Sequence, residues 1–219
     1  MLAIVVVGGA YEPPKRLAEW RQRAGLVVAA DGGARHALAM GLKLDLVVGD
    51  FDSLLPAERE QLQALGASFE VYRCDKDETD AELAIRAALA RGADEVVILC
   101  ALGGRADHAL ANVFLLAAPD LEERAILASG NTEVRLVSTE ACFIGARGDS
   151  LSLLPFGTDV SSIWTDGLAY PLKGETLPLG YARGVSNVFI GREARVRIGD
   201  GRLLAIHIRM NKDGVTPSC

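Results

Sequence analysis

The chain has 219 residues, 50% of them hydrophobic and 24% charged, enough for one large domain or two small ones with proper cores. Its formal net charge of -6 excludes the basic footprint that a nucleic-acid backbone requires, so no nucleic-acid partner is expected. No run approaches the roughly 18 apolar residues of a membrane span, and the cysteines (Cys74, Cys100, Cys142, Cys219) show no metal-ligand spacing, so we expect a soluble cytoplasmic protein with inert, buried thiols.

Residues 3–7 form a short apolar run, read as a first buried strand. Similar runs at 26–30, 46–48, 68–72, 95–101 and 124–128 predict further strands covered on both faces. Helical patterns lie between them, at about 14–24, 34–40, 57–65, 80–91 and 107–116. This alternation predicts an α/β layer with a mostly parallel sheet flanked by helices, over residues 1–129. From the turn-rich Ser129-Gly130-Asn131 onward the helical period disappears. Runs at 134–137, 141–144, 150–154, 163–170, 184–190, 194–198 and 203–209, punctuated by Gly, Pro and Asp, predict a small all-β sandwich over 130–219. The last residues, from 211 on, read as a loose tail.

Acidic residues follow the strands of the first part. Asp31-Gly32-Gly33 follows the second strand, and Gly49-Asp50-Phe51-Asp52-Ser53 follows the third. Asp75-Lys76-Asp77-Glu78-Thr79-Asp80 follows the fourth, and Gly103-Gly104-Arg105-Ala106-Asp107-His108 the fifth. In a parallel sheet all four segments leave carboxyl ends, the edge where open α/β sheets bind ligands. Carboxylates gathered there repel one another unless a hard cation such as Mg²⁺ lies among them. Asp50 and Asp52, two apart, share a face on a strict strand or meet in a tight loop, and Asp80 completes the set.

Plainer readings stand beside these. Thr79-Asp80-Ala81-Glu82 also fits a helix capping box, and Asp31-Gly32-Gly33 a turn. Gly103 and Gly104 permit close backbone approach to an anion at a helix start, where Arg105 adds a planar fork; Lys76 is a second cation. His108 is either a phosphate donor or a helix-start histidine bonded to a neighbouring acid. His36 and His207 read as structural. No Walker A loop, dinucleotide fingerprint, serine-nucleophile elbow or zinc spacing is present.

At these four motifs, and at Gly167-Leu168-Ala169-Tyr170-Pro171-Leu172 and Gly184-Val185-Ser186-Asn187, the sequence resembles the bacterial thiamine pyrophosphokinases over nearly its whole length. The resemblance implies a catalytic α/β domain, a thiamine-binding β-sandwich and a homodimer with active sites at the subunit interface. It implies pyrophosphate transfer from ATP to thiamine, giving thiamine diphosphate and AMP, with Mg²⁺. Asp50, Asp52 and Asp80 would hold the metal, and Asp31 would line the same site and meet substrate. Lys76, Asp77, Gly103, Gly104, Arg105 and His108 would serve the nucleotide. Asp31, Arg105 and Asp107 would lie at the reacting groups, with Asp107 orienting or deprotonating the alcohol, and Ser186 and Asn187 would bind thiamine. Some relatives carry a C-terminal Trp that packs on thiamine, whereas this chain has none after Trp164. Competing expectations are a pyrophosphokinase for another small alcohol such as a pterin, a non-catalytic nucleotide-binding regulator, and a metal-dependent phosphate-ester hydrolase.

Overall fold

The computed structural model describes residues 1–73, 75 and 77–210. The chain divides into two compact units, Met1–Gly130 and Asn131–Cys219, one residue beyond the boundary expected at 129/130.

The first unit alternates strands and helices: β1 (Leu2–Val6), α1 (Leu17–Arg23), β2 (Ala24–Ala30), α2 (Gly33–Ala39), β3 (Leu46–Gly49) and α3 (Pro56–Ala64). It continues through β4 (Ser68–Val71), α4 (Asp80–Ala90), β5 (Glu95–Leu99), α5 (Ala106–Leu115) and β6 (Ala125–Ser129). The strands lie in the order β6-β5-β1-β2-β3-β4, and every described pairing among them is parallel. Ile4 stands opposite Val27 on one side and Val97 on the other. The chain steps outward from β1 to β4 and then returns to β5 on the far side of β1. The order therefore reverses at β1/β5, the point at which such sheets open a crevice beyond their carboxyl ends.

Burial explains the apolar runs. All five residues of β1 are buried, and Ile4, Val27, Val97 and Leu99 join Trp20 and Leu62 in one core. In α4, Ala81, Ala84 and Ala88 are buried, and these small side chains let the helix lie close over β1, β2 and β3. Helix α1 starts three residues later than the pattern suggests. Pro13 and Pro14 offer no N–H, and the Leu17 N–H donates to the Pro14 carbonyl at 3.0 Å, so a turn precedes the helix.

The second unit is all β: β7 (Thr132–Val137), β8 (Glu140–Ile144), β9 (Ser150–Pro155), β10 (Val160–Asp166), β11 (Lys173–Leu177), β12 (Asn187–Val188), β13 (Glu193–Arg197) and β14 (Leu203–Ile208). Its antiparallel sheets run β12-β9-β14-β7 and β11-β10-β13-β8. Leu151, Leu153 and Leu203 of one sheet share a core with Phe143, Ile163 and Val196 of the other, the sandwich that the punctuated runs predict.

Four points differ from the expectations. The strand expected at 163–170 is β10, which ends at Asp166 because Gly167 turns the chain at φ 76, where an added Cβ would sit 2.1 Å from the Glu193 carbonyl oxygen. Strand β11 was not anticipated, because Leu177 is its only buried residue. The strand expected at 184–190 shrinks to Asn187–Val188, since Ser186 takes φ 60. Cys142 is exposed rather than buried: on β8 the strand alternation turns Phe143 inward and Cys142 outward. Cys100 is buried as expected; Cys74, Cys219 and the tail from 211 lie outside the described residues. No helix among the described residues is long and apolar enough to cross a membrane.

Candidate active site

An open cleft of ≈ 940 Å³ lies at the carboxyl edge of the parallel sheet. Gly8 and Gly9 after β1, Asp31 and Gly32 after β2, Asp50 and Ser53 after β3, Thr79 and Asp80 at the start of α4, and Gly103 to Arg105 after β5 line it. The volume is within the range of small-molecule sites.

Backbone strain concentrates at this edge. Among the described non-glycine residues of this unit, four have positive φ, and three of them follow strands here: Asp31 (φ 42), Phe51 (φ 62) and Cys100 (φ 57), with Glu123 elsewhere. Phe51 explains how the loop after β3 is held. Its ring is buried, edge-on to Phe69 at 5.1 Å and under the Arg59 guanidinium at 4.8 Å. Burial of this ring offsets the unfavourable φ and leaves the flanking carboxylates outside the core. Gly49, at φ 151, brings β3 against the next loop, where an added Cβ would lie 3.0 Å from the Asp31 Cβ.

The result is a tight acidic set. Asp31, Asp50 and Asp52 each offer a carboxylate oxygen, and these oxygens lie within 4.8 Å of one another. The Asp52 carboxyl is pushed above its ordinary value, first by the Asp50 charge, then by burial and by the charges of Asp31 and Asp80. The Asp52 N–H donates to Asp50 Oδ1 at 3.2 Å, closing the loop on itself. The Ser53 hydroxyl donates to Asp31 Oδ2, while Asp31 Oδ1 is buried with no hydrogen-bond partner. A buried carboxylate oxygen without a donor, beside two more carboxylates, fits a hard divalent cation. Asp80 lines the same cleft without entering the tightest group. Thr79 is the N-cap of α4, accepting from the Glu82 N–H at 3.2 Å, so the plain capping reading of that residue also holds.

The opposite wall carries the basic group. Gly103 and Gly104 both take left-handed φ (77 and 69), which shapes the loop before α5. The N-cap residue Arg105 makes no side-chain cap, and the N-terminus of α5 lines the cleft, where an anion would be favoured. Arg105 pairs with Asp107 through two bonds, Nη2 to Oδ2 at 2.6 Å and Nε to Oδ1 at 3.2 Å. That fork lowers the Asp107 carboxyl to about 2, which makes it a poor proton acceptor. His108 lines the cleft from the first turn of α5. Asp77 is exposed and is not among the lining residues, whereas Glu78 is; Lys76 lies outside the described residues.

Sequence reasoning assigned no role to Arg35, none to Ser53 beyond its place in the acidic motif, and a structural one to His36. All three line the cleft, and the His36 ring meets the Gly9 carbonyl at 3.0 Å. A polar residue one helical turn beyond Asp31-Gly32-Gly33 was the available signal for Arg35 and His36.

In the second unit, Ser186 N–H donates to Ser152 Oγ at 3.0 Å. The Asn187 amide is largely engaged: Oδ1 accepts from the Tyr170 N–H (3.0 Å) and the Val188 N–H (2.9 Å), and Nδ2 donates to the Tyr170 carbonyl (2.7 Å). Asn187 thus fixes the segment at Tyr170, a residue that is 72% exposed. His207 is buried as a structural histidine, 3.2 Å from Asp149 Oδ2 and stacked on Phe189.

Residues 17–127 match the family model described as thiamin pyrophosphokinase, catalytic domain, and residues 138–203 match the one described as thiamin pyrophosphokinase, vitamin B1 binding domain. The thiamine pyrophosphokinase of Bacillus subtilis is 28% identical over 213 residues, covering 92% of this chain and 96% of that protein. A crystal structure of thiamine pyrophosphokinase from Bacillus subtilis aligns with a TM-score of 0.86 at 26% identity, over 96% of this chain and 100% of that one. The thiamin pyrophosphokinase of Candida albicans shares the fold at 16% identity, with a TM-score of 0.78 over 94% of this chain and 88% of that one.

Proposed function

This chain belongs to the thiamin pyrophosphokinase family, and we propose that its cleft performs the family reaction on the residues described above. It is a kinase that transfers pyrophosphate from ATP to thiamine, giving thiamine diphosphate and AMP. The observation that carries the site assignment is the set of Asp31, Asp50 and Asp52 around a buried oxygen that no donor satisfies. Neither a pterin kinase nor a nucleotide-binding regulator accounts for the vitamin B1 binding match at 138–203.

In the proposed reaction the thiamine hydroxyl oxygen bonds to the β-phosphorus of ATP as the bond from that phosphorus to the α-bridging oxygen breaks. AMP leaves, and the hydroxyl proton is released. Mg²⁺ held by Asp31, Asp50 and Asp52, with Asp80 beside it in the cleft, would offset the charge of the phosphate oxygens. Arg105 and the N-terminus of α5 would bind the phosphates from the other wall, and the backbone at Gly103 and Gly104 would let them approach. His108, and with it Lys76 and Asp77, would serve the nucleotide. Asp107, held near 2, keeps Arg105 in place and orients the alcohol rather than deprotonating it. Asp31 would meet thiamine in the cleft, and Ser186 and Asn187 would meet it across the dimer interface, with Asn187 acting chiefly by fixing the Tyr170 segment.

We take the protein to be a cytoplasmic homodimer. Leu110 and Phe114, one turn apart on α5 and 60% and 62% exposed, offer an apolar face of the kind a second copy covers. The direct test incubates the purified protein with ATP, Mg²⁺ and thiamine and separates the products. Thiamine diphosphate and AMP in equal amounts are expected; release of inorganic phosphate without thiamine diphosphate would mean hydrolysis instead.

A further inference from the structure

A chain of hydrogen bonds outside the acidic set ends on one of its members. Glu58, in the first turn of α3, accepts from Arg35 Nε at Oε1 (2.6 Å) and from Arg35 Nη2 at Oε2 (2.7 Å). Oε2 also accepts the Leu55 N–H at 2.8 Å. The same Arg35 Nη2 donates to the Ser53 carbonyl at 2.5 Å, and the Ser53 hydroxyl donates to Asp31 Oδ2. The network joins α2, α3, Asp31 and the second half of the loop that carries Asp50 and Asp52. Gly32 keeps the last link open, since an added Cβ there would stand 3.0 Å from the Ser53 Oγ.

An exposed ion pair by itself contributes little. This one is two-pronged, and the arginine also grips the backbone of the residue whose hydroxyl reaches Asp31. Occupying Oδ2 decides which Asp31 oxygen is left over, and the one left is the buried Oδ1 without a donor. We infer that Arg35 and Glu58 are positioning residues for the cation: they fix the loop after β3 and, through Ser53, direct Asp31 Oδ1 at the ion. This inference rests on the proposal that Asp31, Asp50 and Asp52 hold a divalent cation. It assigns a task to residues with no part in that proposal.

The test measures binding of Mn²⁺ alone, by the electron paramagnetic resonance of the free ion, in the wild type and in Arg35→Met, Glu58→Gln, Ser53→Ala and Asp52→Asn. Asp52→Asn is the control for the cation site and should lose binding. Arg35→Met and Glu58→Gln should each weaken Mn²⁺ by about tenfold or more, as outer partners of metal ligands do. Because Arg35 acts through Ser53, Arg35→Met combined with Ser53→Ala should be little worse than the weaker single variant. In turnover, the Mg²⁺ concentration for half-maximal rate should rise more than kcat falls. If Asp52→Asn loses Mn²⁺ while both Arg35→Met and Glu58→Gln bind it as the wild type does, the positioning role is overturned and the cation site stands. If Asp52→Asn binds as the wild type does, the cation site itself fails, and this inference with it. Should Arg35→Met not fold, Glu58→Gln, which retains the side chain's shape, decides the matter.

Discussion

Two aspartates, one in each unit, have opposite surroundings. Asp149, in the sandwich, is buried with both oxygens engaged: Oδ1 accepts from the Met210 N–H at 2.9 Å, and Oδ2 accepts from the Ala146 N–H at 2.8 Å and lies 3.2 Å from His207. Asp31, at the sheet edge, has one oxygen on Ser53 and the other buried with no donor, and its carboxylate is grouped with those of Asp50 and Asp52. The sandwich satisfies its acid from within the chain, as a structural group must. The parallel sheet leaves the buried Oδ1 of Asp31 without a donor beside two further carboxylates, and folded proteins tolerate that arrangement where a ligand completes it. The difference separates an acid that holds the fold from acids that serve chemistry.

Substitutions should separate the two kinds of acid. The largest effect is expected for Asp52→Asn, which should lower kcat/KM by about 100-fold or more while the protein stays folded, since transition-state charge loses its counter-ion. Thermal unfolding followed with and without Mg²⁺ checks the same point: Mg²⁺ should raise the wild-type midpoint and leave that of the variant unmoved. Asp149→Ala should instead destabilise the protein by about 3 kcal/mol, read by urea unfolding, because it removes the partner of the buried His207 and the acceptor of two part-buried N–H groups.

A smaller effect, about tenfold or less on kcat/KM, is expected for Asp107→Asn. Arg105 already holds that carboxyl at about 2, so the pH–rate profile above pH 5 should carry no limb belonging to it. A limb that vanishes in the variant would restore Asp107 as the base.

The smallest effect distinguishes the units by the sign of their response to acid. Asp52 is raised above 3.8 chiefly by Asp50, so its protonated form favours folding, and that contribution is lost as pH rises from 3.8 through the raised value. His207 is lowered below 6.5, first by burial and then by the charge of Arg209, against the opposing pull of Asp149 and Glu133. Its contribution is present above 6.5 and is lost as pH falls from there through the depressed value. In metal-free protein, acid should therefore relieve the sheet edge and weaken the sandwich. The His207→Gln variant, followed by unfolding midpoint against pH, should show a flatter decline below pH 6.5 than the wild type.

Much of this was legible in the sequence, for physical reasons that differ by element. Strands β1, β2 and β5 announce themselves as apolar runs because helices cover both faces, and once they are placed the acids after them must share an edge. The sandwich strands β8, β13 and β14 are legible from short runs between turns. The polar β11 is not, because Leu177 is its only buried residue, and the two-residue β12 is not, because its pairing depends on β9, distant in sequence. The site was legible as residue types at strand ends. Which acids form the tightest group was not, since that depends on Gly49 bringing β3 against Asp31 and on Phe51 turning inward at positive φ. The Arg35–Glu58 pair spans 23 positions between two helices, and no local pattern connects them.

The most direct measurement is a crystal structure with Mn²⁺ and the α,β-methylene analogue of ATP, with the ion located by anomalous scattering. The account predicts a peak among Asp31, Asp50 and Asp52, within reach of the analogue's phosphates, with Arg105 on their other side. A map with the analogue bound, those three side chains turned apart and no peak between them would contradict it.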